Sequence, residues 1–391
     1  MRIRNVTWLC LVLIVAALST PAWAALTYRT SNSSGDWTTV TWGNGTGLPG
    51  IGDDAYVCYN KIVDVNSSLG DIGGLRIYSN IGAAGSGTLN INTDGSLNIP
   101  AANGGYLVLG YSSGAGGNAI LNINGGSLTT SRVDMAASAG AGVSTINVHS
   151  GNLNVGGSGF FVNYNGASTV NQDGGLVTVA GSTFLKYGNN TYAGHYNLSG
   201  GTFKTYTLYF YRKNSDASSV FDLTGTGVLK TNNITFRSEY GDAVAAYNQN
   251  GGTVAPISGA GAEVGQLTFA NLTAGGTTGY TMGSDATLAI DIASASSFDN
   301  LSMGGTFTAE GTLAINLMGG FTPILGSTFK IATAGSYFGN FDTITSSAMP
   351  ESTGWSYDGA TGTLTVVEVP EPATMGLLLV GGVAALIRKR K

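Results

Sequence analysis

Cationic side chains are nearly absent from the body of this 391-residue sequence. Six of its 17 Lys and Arg sit at the two ends, as Arg2, Arg4 and Arg388-Lys389-Arg390-Lys391. Residues 25–387 therefore carry 11 basic against 22 acidic groups, a net charge of −11. Phosphate binding needs clustered cations, so nucleic acid is excluded as a partner. Histidine is as scarce, with only His149 and His195, and no Ser/His/Asp order, metal-ligand spacing or phosphate-binding loop occurs. Of two cysteines, Cys10 lies in an N-terminal leader, so Cys58 is the sole thiol of the remaining chain. No intrachain disulfide is then possible, and Cys58 is expected buried and inert. Heptads and helical periodicity are missing too.

Glycine is what the sequence has instead, 61 residues of it, with only 10% charged residues. That balance, with many Thr, Asn and Ser, predicts short strands and tight turns. The glycines fall into register. Asn122, Asn147, Asn171, Asn197, Asp222 and Asn248 recur with a period of about 25 residues, the mark of a repeat architecture. Each follows an apolar or aromatic residue: Leu121, Ile146, Val170, Tyr196, Phe221 or Tyr247. Shortly after each come turn positions, mostly glycine, such as Gly125-Gly126, Gly174-Gly175 and Gly251-Gly252. Beyond the turn sits Leu128, Leu153, Val177, Phe203, Val228 or Val254, and a looser copy runs over Leu89–Leu97.

One such unit cannot bury its apolar face alone, but stacked units make the columns a continuous core. The expected fold is all-β, a right-handed parallel β-helix with β-rich caps. Rungs about 4.8 Å apart would make seven coils a rod of about 34 Å. The Asn column predicts a structural amide ladder, with Asp222 its weakest step because a carboxylate accepts but cannot donate. The expected division is residues 25–85 as N-terminal cap, 86–256 as solenoid and 257–368 as C-terminal cap domain. The front section, with Gly35-Asp36-Trp37 and Thr41-Trp42-Gly43, resembles the N-terminal cap of secreted repeat proteins. Gly320-Phe321-Thr322-Pro323, Phe329-Lys330-Ile331 and Gly339-Asn340-Phe341 are similar to the terminal segment of autotransporter-like and surface β-solenoid proteins.

The two ends read as addresses. Arg2 and Arg4, an apolar stretch over residues 9–18 and Ala22-Trp23-Ala24 predict a secretory signal peptide over residues 1–24, cleaved between Ala24 and Ala25. At the other end, residues 373–387 are apolar and span about 23 Å as a helix, short for a bilayer core of about 30 Å. Pro370-Glu371-Pro372 precede this run and four basic residues follow it. That order over residues 369–391 resembles the PEP-CTERM sorting signal. The resemblance implies recognition through Pro370, Glu371 and Pro372 by exosortase, a membrane enzyme that removes the tail. It also implies a short transmembrane sorting helix and association with exopolysaccharide or biofilm matrix. A marginal anchor suits a temporary stop, and the basic cluster favours the cytoplasmic side. The bland alternative is a retained anchor at residues 373–387.

Enzymatic chemistry has few candidates. Parallel β-helices carry polysaccharide lyases and glycoside hydrolases, which need grouped carboxylates. Arg132 with Asp134, and Arg237 with Glu239 and Asp242, are close in sequence but about four coils apart. Asp53 and Asp54, adjacent on a strand, would point to opposite faces. The densest aromatic segment is Tyr206-Thr207-Leu208-Tyr209-Phe210-Tyr211, where alternation puts Tyr209 outside if Phe210 is core. No flat threonine array for ice and no aspartate pattern for calcium is present. The sequence is thus read as a non-enzymatic structural or adhesive protein of the cell surface or extracellular matrix. It would need no cofactor and no metal, with exosortase and exopolysaccharide as partners. The alternative is a β-helix lyase or hydrolase.

Overall fold

A computed structural model describes residues 26–77, 85–101, 105–110, 117–137, 142–187, 192–212, 219–238, 246–258, 263–272, 278–347 and 349–369. The expected signal segment with Ala24 and Ala25, and residues 370–391 with the expected sorting helix, lie outside them. Among the described residues there is no α-helix, and strands wind into a β-solenoid of about ten turns.

Each coil contributes a strand to three stacks. The first climbs from Gly35–Asp36 through Lys61–Val65, Gly87–Asn92 and the leading part of Ala119–Thr130 to Val220–Leu223 and Ala246–Gln249. The second runs from Ser96–Ile99 to Thr253–Pro256, then through Thr287–Ser294 and Thr312–Leu317 to Thr343–Ser346. The third is unbroken from Thr27–Ser31 through Arg132–Met135 to Asn300–Met303 and Ala332–Thr333. Parallel pairing therefore runs past residues 86–256 on both sides, through segments whose sequences read as caps. The period hides there because coil lengths change. Thr253 pairs with Thr287 and Thr312 with Thr343, and each of these steps is longer than the steps of the Asn column.

Alternation along each strand explains the core. In Ala119–Thr130, Leu121, Ile123 and Leu128 are fully buried while Asn122 and Asn124 face outward, half-covered by the coils above and below. Early coils fill the interior with aliphatic residues. Later ones stack rings along the axis: Tyr196 on Phe221 at 5.2 Å, Phe221 on Tyr247 at 5.8 Å, Phe210 on Phe236 at 4.7 Å. One column slips from its sequence alignment. Leu229, not Val228, continues Phe203 into the core, because the turn after Asp222 is longer by one position than its neighbours. Cys58 is buried, and burial pushes its thiol up to about 12, so it stays protonated.

Both solenoid ends are covered. In front, Thr30–Ser31 pair antiparallel with Trp42–Gly43, and the buried rings of Trp37 and Trp42 pack 4.6 Å apart. Behind, Thr328–Lys330, Thr363–Glu368 and Thr353–Asp358 form an antiparallel sheet that buries Phe329, Leu364 and Val366. Covering the last rung protects an open sheet edge.

The outward amides bond along the axis. Asn90 Nδ2 donates to Asp64 Oδ1 at 2.6 Å, Asn122 to Asn90 at 2.7 Å, Asn147 to Asn122 at 2.8 Å, Asn171 to Asn147 at 2.9 Å and Asn197 to Asn171 at 2.8 Å. Asn248 donates to Asp222 at 2.7 Å, while Asp222, lacking a donor, leaves the step to Asn197 unbonded. Asp222→Asn should close that gap and raise the thermal midpoint at pH 7, by about 1 kcal/mol of stability. Asn171→Asp, which opens a second gap, should lower it. Turn glycines are fixed twice over. Gly175 has φ 64°, and a Cβ there would lie 2.6 Å from the Gly151 carbonyl oxygen of the coil below. Gly175→Ala should cost about 2–4 kcal/mol, read from thermal unfolding.

Candidate functional site

The third stack positions the groups that sequence singled out. Asp134 follows Val133, which is buried, so both Arg132 and Asp134 face outward. Arg132 Nε donates to Asp134 Oδ1 at 2.7 Å. Burial raises the Asp134 pKa, and the Arg132 guanidinium opposes that rise. The same guanidinium lies 4.4 Å from the Phe161 ring centre, 5.3 Å from Tyr106 and 6.0 Å from Tyr164. It is thus held by one carboxylate and three rings.

Beyond Asp134 the same outward column turns aromatic. Asp134 is in register with Phe161, Phe161 with Phe184 and Phe184 with Tyr209. The rings stack along the axis, 4.8 Å and 4.9 Å apart and inclined by 4° and 5°. Tyr164 and Tyr187 cross this row. Tyr187 meets Phe161 at 4.9 Å and 78° and Phe184 at 5.5 Å and 75°, and Tyr164 meets Phe161 at 5.9 Å and 75°. The two tyrosines thus stand edge-to-face to the row. They pack on each other at 5.5 Å and 28°. Phe161 is sheltered, Phe184, Tyr209 and Tyr164 are half-buried, and Tyr187 and Tyr106 are exposed. The result is a strip of aromatic surface several coils long with an Arg–Asp pair at one end.

Of these residues, sequence reasoning found Arg132, Asp134 and Tyr209. It missed Tyr106, and it missed Phe161 with Tyr164 and Phe184 with Tyr187, which come from two successive coils. Extending the coil alignment from the Asn column to the third strand, one coil at a time from Asp134, would have collected the row.

The other candidates are apart and occupied. Asp54 accepts from Arg76 Nε at 2.8 Å, whereas Asp53 accepts the Gly50 backbone N–H at 2.9 Å. His149 Nδ1 lies 2.9 Å from the Asp173 carboxylate in an exposed pair. Arg237 pairs in register with Tyr211, and Glu239 and Asp242 lie outside the described residues. Asp299, pushed up to about 7 by burial, accepts the backbone N–H groups of Gly265 and Asp291 at 2.6 and 2.9 Å and braces a turn. Among the described residues no three of His, Cys, Asp and Glu are grouped to hold a metal ion.

The described chain leaves the C-terminal sheet through exposed Val369, whose N–H donates to the Ser352 carbonyl at 2.8 Å. Residues 368–391 match the PEP-CTERM protein-sorting motif. The chain is a β-solenoid with a PEP-CTERM sorting tail. Pro370, Glu371 and Pro372 fall within the match. No curated protein matches the chain in sequence. The motif implies an exported, cell-surface-directed protein processed by exosortase. Among the described residues no helix is long and apolar enough to cross a membrane, and residues 373–387 are not among them. Protein isolated from its native host should have lost the tail by intact mass. An exosortase-deletion strain should retain it in the membrane fraction, and an unchanged mass in both strains would refute processing.

Proposed function

We propose that this PEP-CTERM-sorted solenoid is a non-enzymatic structural or adhesive component of the cell surface or extracellular matrix that holds exopolysaccharide along its outer aromatic strip. The observation that carries the proposal is the Tyr164–Tyr187 pair, set edge-to-face across the Phe161–Phe184–Tyr209 row, with Tyr187 exposed. Sugars present C–H faces that pack on aromatic rings and hydroxyls that need polar partners. Arg132 and Asp134 supply such partners at the end of the strip. A strip is suited to gripping a long chain at several points, each contact being weak, so that binding grows with polymer length.

A binding rather than hydrolytic role is supported by how the candidate carboxylates are used. Asp54 and Asp134 are each tied to an arginine, and Asp53 and Asp299 to turn N–H groups. Glycoside hydrolysis calls for two carboxyls flanking one bond, about 5–9.5 Å apart.

Co-sedimentation of the exported protein with exopolysaccharide from its own host tests the proposal. Wild type should pellet with the polymer, and the Tyr164→Ala/Tyr187→Ala double variant should bind about tenfold more weakly with little change in melting temperature. Asn147→Ala, on a different face, should bind as wild type. Failure of the wild type to pellet would end the proposal, as would release of reducing ends from the polymer.

A further inference from the structure

The chain leaves the solenoid from the antiparallel sheet that closes its C-terminal end. In that sheet Thr328 pairs with Thr365, and the two chains stay bonded beyond the pair. Val366 N–H donates to the Ser327 carbonyl and Gly326 N–H to the Val366 carbonyl, both at 2.9 Å. Residues 324–327 make a tight turn, in which Ser327 N–H donates to the Ile324 carbonyl at 3.0 Å and Gly326 has φ 83°. A positive φ at the third position of a turn is what glycine supplies. Carried outward, the register brings this turn to the Glu368–Val369 end of the last strand, where the chain exits.

The turn holds apolar side chains out into water. Ile324 is 76% exposed, Leu325 58% and, at the same end, Val369 47%. Single exposed apolar residues are ordinary on a protein surface, but three around one chain exit form a patch. The charges beside it are acidic. Glu368 is exposed, and exposed Glu351 adjoins Ser352, whose carbonyl accepts the Val369 N–H at 2.8 Å. No Lys or Arg occurs in residues 318–327, 347–354 or 364–387.

Chain length fixes what this patch can meet. Only Pro370, Glu371 and Pro372 separate Val369 from the apolar run at residues 373–387. Four residue steps reach at most about 14 Å. As a helix the run spans about 23 Å, against a hydrocarbon core of about 30 Å. With the basic cluster held at the cytoplasmic surface, the run begins about 7 Å inside the opposite boundary. Val369 then stands no more than about 7 Å above that boundary, within the headgroup layer of about 5–8 Å. Whatever flanks Val369 is carried into that layer, and its flank is the Ile324–Leu325 turn.

We propose that Ile324, Leu325 and Val369 seat in the lipid interface and hold the closed end of the solenoid against the membrane until the tail is removed. The proposal rests on the reading of residues 373–387 as membrane-inserted before processing. The partner is the lipid surface itself, and a zwitterionic one suffices. Contact is by apolar burial, and the acidic flank gains nothing from anionic headgroups. Three side chains bind weakly and reversibly, so cutting the tether frees the rod. The seat also sets the depth at which Pro370, Glu371 and Pro372 meet a membrane enzyme.

The test uses protein that keeps its tail, purified from an exosortase-deletion strain and reconstituted in phosphatidylcholine vesicles with brominated lipid as quencher. Cys58 is buried, so Ile324→Cys supplies the thiol that takes a fluorescent label. Thr46→Cys, exposed in the N-terminal section, and Ala373→Cys, at the start of the apolar run, are labelled in parallel. Brominated lipid should remove at least half of the fluorescence at positions 324 and 373 and none at 46. Replacing part of the phosphatidylcholine by phosphatidylglycerol should not deepen the quenching at 324. Quenching at 373 without quenching at 324 would overturn the proposal and leave insertion of the tail standing. No quenching at 373 would overturn both. Disulfide-linked dimers of the unlabelled Ile324→Cys protein, with no lipid quenching at 324, would assign the turn to a second copy and overturn the lipid seat. Quenching at 324 that needs anionic lipid and disappears in salt would overturn the apolar contact.

Discussion

Axial stacking at the rung spacing of about 4.8 Å is the constraint on which this structure depends. Every side chain on one coil has the equivalent side chain of the next as its nearest neighbour. A group that cannot tolerate its own likeness must be isolated, ended or paired with a complement. Amides tolerate it well, since each can accept and donate in one direction. Here the direction is uniform along the Asn column, with each Asn donating toward the N-terminal end. The first member needs only to accept, and it is Asp64. A parallel line of amides has the same grammar: Asn124 donates to Asn92, Asn92 to Asn66 and Asn66 to Asp36. Asn98 on Asp71 and Asn316 on Asp291 are shorter examples. A carboxylate at the accepting end adds charge to a bond already aligned with the others. Asp222 departs from this rule because it stands inside a line rather than at its head.

The interior meets the same constraint with different chemistry. Aliphatic columns pass into ring stacks, whose only polar atoms are the hydroxyls of tyrosines such as Tyr196 and Tyr247. The two inward glutamines of this column, Gln172 and Gln249, are separated by Leu198 and Leu223. Gln172 and Gln249 each spend the amide nitrogen on carbonyls of their own turn and of the next coil, and give the oxygen to a tyrosine. The pairing is therefore a unit of two coils, and Tyr247 is the half-unit left over. Tyr247 lacks its partner because Leu223 stands below it across a regular step, one coil before the first stack divides.

Much of this is written in the sequence, in proportion to how local it is. The Asn spacing, the apolar residue before it and the glycine turn after it are short-range features, and they carry the all-β solenoid. Trp37 and Trp42 are legible as end material, although the strands around them already pair as rungs. What escapes is anything that depends on coil length. Val228 aligns with the core column in sequence because nothing there marks the extra turn position that puts Leu229 in its place. The aromatic strip escapes for a related reason. Its rings are single residues on the third strand, whose distance from the Asn column varies with the loop between. The glutamine–tyrosine pairs are hidden because each half looks ordinary alone.

Function follows the same division between what repeats and what does not. A regular column is stiff and self-satisfied, and its amides have little left to offer a ligand. The departures are few: a column that turns from aspartate to aromatic rings, a rung that stops, a tyrosine without its glutamine. These departures lie on separate parts of the rod, the strip on the third stack and the break on the first. Neither needs the other for its geometry. The described chain reaches Val369 at the surface after the last antiparallel strand has closed the end. Closure of that end by Thr353–Asp358 and Thr363–Glu368 rests on residues before the PEP-CTERM match or at its first position. Removing the residues beyond Val369 would thus uncover no rung of the solenoid, so the fold can outlast the address that delivers it.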